Sequence, residues 1–174
     1  MGHLKRNRTT DIAVTALTAA LIFVVTWTVR IPIPFASGGG YLNMGDVMIY
    51  LCAYLLGGPR AAIAAAVGSG LADLTAGAAI YILPTCIIKG SMGFAAGAIS
   101  KGRGFRHYLL SAVVGGAIMV VGYASFEYFF FNPAYAFASI PFNTIQWGGC
   151  AVITAAVYTM AKKINAYLIR QSSI

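Results

Sequence analysis

The chain has 174 residues, of which 59% are hydrophobic and only 9% charged, and its mean hydropathy is +0.79. Soluble domains carry about 25% charged residues, so this composition excludes a water-facing surface, and the continuous Ala- and Gly-rich runs lack the alternation of a transmembrane β-barrel. The net charge of +8 does not point to nucleic acid, because the basic residues sort into loops as a membrane topology sorts them.

At about 20 residues per span, the length fits five or six helices. The expectation is an all-α integral membrane protein, a single membrane domain over residues 1–174, with six transmembrane helices at about 11–30, 44–57, 60–78, 81–100, 107–131 and 141–161. Thr9, Thr10 and Asp11 supply helix-starting side chains ahead of the uncharged run 12–29. A basic start before an apolar run also describes a signal peptide, but this run is long for one and the rest of the chain is membranous, so it is read as a span. On it Ala16 and Ala20 are four apart, with Ala13 and Ala19 beside them. Small residues at that spacing let a second helix approach closely, either within the fold or from a partner subunit.

Residues 31–43 cannot be regular helix, because Pro32 and Pro34 break it and Gly38, Gly39 and Gly40 loosen it. Phe35, Tyr41 and Leu42 in this loop favour folding back over something apolar, as an extracellular lid. Gly57, Gly58 and Pro59 make the turn before the third span, whose Gly68, Ser69 and Gly70 imply tight packing. Pro84 falls in the first turn of the fourth span, where proline is tolerated. Asn132 and Pro133 end the fifth span, and an aromatic connector leads to a sixth span starting near Pro141. Lys162, Lys163 and Arg170 mark an amphipathic tail.

With both termini cytoplasmic, the inner segments hold Lys5, Arg6, Arg8, Arg60, Lys101, Arg103, Arg106, Lys162, Lys163 and Arg170, ten of the twelve basic residues. That is the positive-inside pattern. Cys52, Cys86 and Cys150 are odd in number, lie in apolar runs and form no CxxC pair, so they read as packing residues. No phosphate loop, HExxH or nucleophile elbow occurs, so neither ATP hydrolysis by that route nor an enzyme is expected.

The remaining charges fall at one level. Residues 68–90 are apolar except for Asp73 and Lys89, and buried charges in a membrane require partners, water or a ligand. Asp46, Asp73, Lys89 and Glu127 all lie in the outer half of their spans. Tyr81, Thr85 and Lys89 share one helix face, as do Tyr123 and Glu127, and Asn143, Gln146, Trp147 and Cys150 share another. This constellation, with Tyr41 and Asn43 from the loop, suits an aromatic, hydrogen-bonding ligand. The plainer alternatives are an interfacial aromatic belt for Trp147 and Tyr81, a structural Asp73–Lys89 pair, and a loop-pinning Asp46. Three outer acids against two bases, Arg30 and Lys89, favour a neutral or zwitterionic heterocycle over a polyanion.

The segments YLNMGD at 41–46, LLGGPRAAIAAAVGSGLADL at 55–74 and IYILPTCIIKG at 80–90 resemble the S components of energy-coupling-factor (ECF) vitamin transporters, in the riboflavin-transporter-like branch that includes hydroxymethylpyrimidine and pyridoxine carriers. The resemblance implies a substrate-binding subunit in a bacterial or archaeal cell membrane. It implies an outward pocket under the first loop and a docking face at Ala13, Ala16 and Ala20. The partners it implies are a scaffold T subunit and two ATPase subunits that use ATP, with no cofactor or metal in this chain. A pyridoxine-type vitamer or hydroxymethylpyrimidine is expected first and riboflavin next, with a queuosine precursor also open. The rival reading is a self-sufficient proton-coupled transporter working through Glu127 or Asp73; a purely structural membrane subunit is the third.

Overall fold

The computed structural model describes residues 8–32 and 41–171. The elements are α1 (Arg8–Thr28), β1 (Arg30–Pro32), β2 (Tyr41–Asn43), α2 (Gly45–Leu56), α3 (Gly58–Ala76), a 3-10 turn (Ala79–Tyr81), α4 (Ile82–Ser100), α5 (Phe105–Phe130), α6 (Pro133–Ala156) and α7 (Tyr158–Gln171). The ends of the 31–43 loop are not irregular. β1 and β2 pair antiparallel, with Arg30 opposite Asn43 and Pro32 opposite Tyr41. Pro34, Phe35 and Gly38 to Gly40 in the loop's middle lie outside the described residues, as do Lys5 and Arg6.

Sequence signals and helix ends agree where chemistry is local. Gly57 turns α2 into α3 with φ +84°, and Pro59 follows at the start of α3. Gly77 ends α3 in the left-handed conformation that favours glycine. The sixth span needs correction. Residues 133–140 are not a connector, because α6 starts at Pro133 and continues past Pro141. Asn132 caps it, its side chain accepting a hydrogen bond from the Tyr135 backbone N–H at 2.8 Å, and Pro133 sits in the first turn. Those two residues both stop α5 and start α6. The helix breaks at Val157 and resumes as α7.

α2 is the centre of the bundle. Its 12 residues cover only about 18 Å, yet ten of them are buried, and it meets α1, α3, α4, α5, α6 and α7. Ile49 and Cys52 pack on Ala19, Ile22, Ala64 and Ala65, while Tyr50 and Ala53 join Ile88, Met92, Ala112 and Met119. Around it α1, α3 and α4 approach closely through small residues. A Cβ on Gly93 would lie 2.6 Å from the Ala61 carbonyl oxygen, so only glycine permits the α3–α4 contact there.

The outer surface inverts the soluble pattern. Leu17, Ile63, Leu83, Ile87, Val121, Phe129, Phe137, Ile145 and Val152 are all exposed, while the charged side chains Asp46, Lys89, Asp73 and Glu127 are buried. An apolar exterior of that extent is a lipid-facing one. Three helical segments, Arg8–Thr28, Ala79–Ser100 and Phe105–Phe130, are long and apolar enough to cross a membrane by themselves. The protein is an all-α membrane protein with one short two-stranded pairing.

Candidate functional site

Four elements meet at a buried ion pair. Lys89 on α4 donates to Asp46 Oδ1 on α2 at 2.5 Å, and Gln146 on α6 donates through Nε2 to Asp46 Oδ2 at 2.8 Å. Gln146 Oε1 in turn accepts from the Asn43 backbone N–H of β2 at 2.9 Å. Asn43 also accepts, through Oδ1, from the Gly45 N–H at 2.9 Å, which satisfies one of the free donors at the start of α2. Met119 Sδ lies 3.1 Å from Lys89 Nζ. Asp46 and Lys89 are 1% and 2% exposed, so each charge depends on the other.

This arrangement decides against two of the plainer alternatives. Lys89 pairs with Asp46 and not with Asp73. Asp46 does not pin the loop; Asn43 and Gln146 do that. The reason is packing: α2 runs through the middle of the bundle and brings its first turn against α4 and α6, a contact that spacing along the chain does not encode.

Asp73 on α3 meets β2 instead. The Tyr41 hydroxyl of β2 donates to Asp73 Oδ1 at 2.6 Å. Burial first, then the adjacent carboxylate, push the Tyr41 phenol up, so it remains a donor. Asp73 Oδ2 is buried and takes no hydrogen bond from the described residues. The Thr85 hydroxyl shares a 2.9 Å hydrogen bond with the Tyr123 hydroxyl. Arg30, the first residue of β1, stacks 3.7 Å above the Trp27 ring.

Glu127 on α5 anchors a third cluster. Tyr81 donates to its Oε1 at 3.0 Å, and Ser139 of α6 donates to its Oε2. Tyr135 reaches the Tyr81 hydroxyl at 3.2 Å. Both carboxylate oxygens of Glu127 are thus occupied from within the protein. Tyr123 joins the three groups: its ring lies 5.7 Å from Lys89 Nζ and 6.3 Å from the Tyr81 ring, and its hydroxyl meets Thr85.

The α6 face divides. Gln146 and Cys150 are buried toward α2, and Asn143 is half-buried. Trp147 belongs neither to an interfacial belt nor to this cluster. Its indole N–H donates to the Ala112 carbonyl at 3.1 Å, and its ring occupies the space that a Cβ on Gly116 would need. It packs α6 on α5 because Gly116 leaves that surface flat. Ser139 and Tyr135 went unrecognised in the sequence because their segment reads as a connector. The capping pair Asn132–Pro133 is the signal that places them on a helix.

Ala13, Ala16 and Ala20 are exposed on α1. Beside them an apolar groove of about 370 Å³ runs between α1 and α3, lined by Ile12, Thr15, Ala16, Ala19, Ile63 and Val67 and closed at one end by Asp11 and Arg60, which pair at 2.6 Å. Among the described residues no His, Cys, Asp or Glu cluster could hold a metal.

A family profile described as "ECF-type riboflavin transporter, S component" matches residues 6–163. A protein of Pyrococcus woesei, described as an uncharacterized protein in gap 3'region, is 39% identical over 149 residues, 84% of this chain and 99% of that protein. The thiamine precursor transporter HmpT of Lactococcus lactis subsp. cremoris (strain MG1363) is 36% identical over 107 residues, 62% of this chain and 63% of that one. A solved S component of a bacterial ECF transporter shares the fold, with a TM-score of 0.72 at 20% identity over 91% of this chain and 98% of that one.

Proposed function

The chain belongs to the ECF-type riboflavin transporter S component family, and from that membership we propose that it captures a small, uncharged pyrimidine of the thiamine-precursor class at the outer face of the cell membrane. The observation that carries this reading is the buried polar assembly under the β1–β2 lid, with Tyr41 and Asn43 from the lid and Asp73, Thr85, Lys89, Tyr123 and Asn143 from four helices. The name of the Lactococcus relative supports the choice of precursor. Because Lys89 and Asp46 neutralise each other, Asp73 and Glu127 leave the region acidic. That disfavours phosphorylated or carboxylate ligands and favours a neutral ring with N–H or O–H donors. A pyridoxine-type vitamer is next by the same chemistry, and riboflavin after it.

In this reading six helices cross the membrane with both termini cytoplasmic. The Ala13–Ala16–Ala20 face and the adjoining groove dock on the scaffold T subunit, and the two ATPase subunits drive release with ATP. Gln146 and Glu127 position the site from behind, with their polar atoms already engaged.

The test is thermal unfolding of the purified chain in detergent with a panel of B vitamins and precursors. A ligand at 100 times its dissociation constant adds about 2.7 kcal/mol of stability, so one compound should raise the midpoint by several degrees. A folded protein that no member of the panel stabilises would overturn the assignment. Ala16→Leu with Ala20→Leu should leave that stabilisation intact and abolish uptake by the full transporter; uptake that survives removes this face from the docking surface.

A further inference from the structure

The last helix is unlike those before it. α7 carries Lys162, Lys163 and Arg170, and no acidic residue follows Glu127 in the chain. At about 100° per residue its side chains sort into two arcs on different sides of the helix. Met160, Ile164, Tyr167 and Leu168 share one arc, and Lys162, Lys163 and Arg170 share the other. Met160, Tyr167 and Leu168 are exposed, as are the three bases.

The start of α7 is fixed in the bundle. Ala161 is fully buried with Leu51 and Tyr54 of α2 and Tyr108 of α5. The Tyr158 ring lies 5.2 Å from the Phe105 ring and 5.3 Å from that of Tyr108. Phe105 opens α5 directly after the turn that holds Lys101 and Arg103, and Arg106 follows it; all three bases are exposed. So α7 leaves the bundle at the level of that basic turn. Length gives the same level. α6 has 24 residues, about 36 Å of helix, against a hydrocarbon core of about 30 Å. A chain that enters α6 at one membrane face has crossed by Ala156, and α7 begins at the other face.

In water, a helix there would leave Met160, Tyr167 and Leu168 uncovered. Along the interface, the apolar arc sinks among the acyl chains and the bases reach the headgroups, as basic amphipathic helices do on anionic membranes. The α4–α5 turn and α7 together present exposed bases and no acid, a charge that complements anionic phospholipid and not zwitterionic phospholipid.

We infer that α7 is an interfacial anchor that selects anionic lipid: its basic arc, with the α4–α5 turn, binds the phospholipid headgroups of the inner leaflet. The inference takes the inner side from the topology proposed above and nothing from the ligand assignment.

The test places the full chain carrying Met160→Trp in vesicles of equimolar phosphatidylcholine and phosphatidylglycerol, with one lipid or the other brominated. Bromine quenches a tryptophan that it touches, and the wild-type chain supplies the background from Trp27 and Trp147. Each base near an anionic surface strengthens association by roughly fivefold, so at low salt phosphatidylglycerol should be enriched at the added tryptophan by about threefold or more. The enrichment should fall toward unity at about 1 M salt, where charges are screened beyond about 3 Å. Lys162→Gln with Lys163→Gln should at least halve it. Leu168→Trp, on the same arc, is the reporter if Met160→Trp does not fold. Equal quenching by the two lipids at low salt overturns the inference, and so does an enrichment unchanged in the double Gln variant. Quenching by neither lipid also overturns it and leaves the face to a protein partner. A C-terminal tag that protease removes from intact cells would refute the inner-leaflet placement and with it the proposed topology. Thermal stabilisation by a vitamin is independent of all these outcomes, so the vitamin-binding reading stands or falls separately.

Discussion

Removing Lys89 should damage the protein more than removing Lys89 and Asp46 together. Both side chains are almost fully buried, 3% and 1% exposed, and their charges lie 2.5 Å apart at the closest atoms. At an effective dielectric constant of about 20, unit charges centred about 3 Å apart attract by roughly 5–6 kcal/mol. Desolvating the two ions costs several kcal/mol each, so the pair comes out near break-even. Lys89→Met deletes the attraction but leaves Asp46 desolvated, with only Gln146 and a thioether as neighbours. That should cost about 3–5 kcal/mol. Asp46→Leu alone strands the ammonium at similar cost. The double variant removes both desolvation terms, and its stability should return to within about 1–2 kcal/mol of wild type. The assay is denaturant unfolding in detergent, analysed as a double-mutant cycle. Additive losses, with the double variant the weakest of the three, would refute the claim that these two charges depend on each other.

Three further outcomes follow from the geometry. Tyr41→Phe deletes the hydrogen bond from β2 to a charged acceptor, worth about 1.5–3 kcal/mol, and on the proposed function should speed ligand release by tenfold or more in stopped-flow measurements; an unchanged rate means that Tyr41 does not close the proposed lid. Because the Tyr41 phenol is raised above its ordinary value of 10.0, its contribution should be fully present below about pH 10 and lost only as pH rises through the raised value. Release should therefore show no Tyr41-dependent change between pH 6 and 9, scored as the difference between wild type and Tyr41→Phe. Glu127→Gln turns two charge-assisted hydrogen bonds, from Tyr81 and Ser139, into at best neutral ones, and should lower stability by about 1–3 kcal/mol; an unaltered unfolding midpoint would show that Glu127 does not clamp the outer ends of α4 and α6. Gly116→Leu forces Trp147 off α5 and should cost at least about 1–3 kcal/mol, with a red-shifted tryptophan emission; an unshifted spectrum and midpoint would mean that the indole packs elsewhere.

The sequence by itself determined the class, most of the helices through α5 and the small-residue surfaces. A helix in lipid satisfies its own backbone hydrogen bonds, so apolar run length, the Gly57 and Gly77 turns and Pro59 can be read without knowledge of neighbours. Which charge meets which was not legible. Lys89 is 16 residues from Asp73 and 43 from Asp46, and the nearer acid in sequence is the wrong partner. Tertiary structure decided that α2 passes through the centre, that its Asp46 takes Lys89 and Gln146, and that Asp73 is left to Tyr41. It also carried α6 through Pro141, bringing Ser139 and Tyr135 to Glu127. A proline near a helix end reads locally as a boundary, but here the lost N–H is outweighed by the Asn132 cap and by the contacts that α6 makes along α5. Pairing of buried polar groups is a property of helices packed together, and one chain read in order does not contain it.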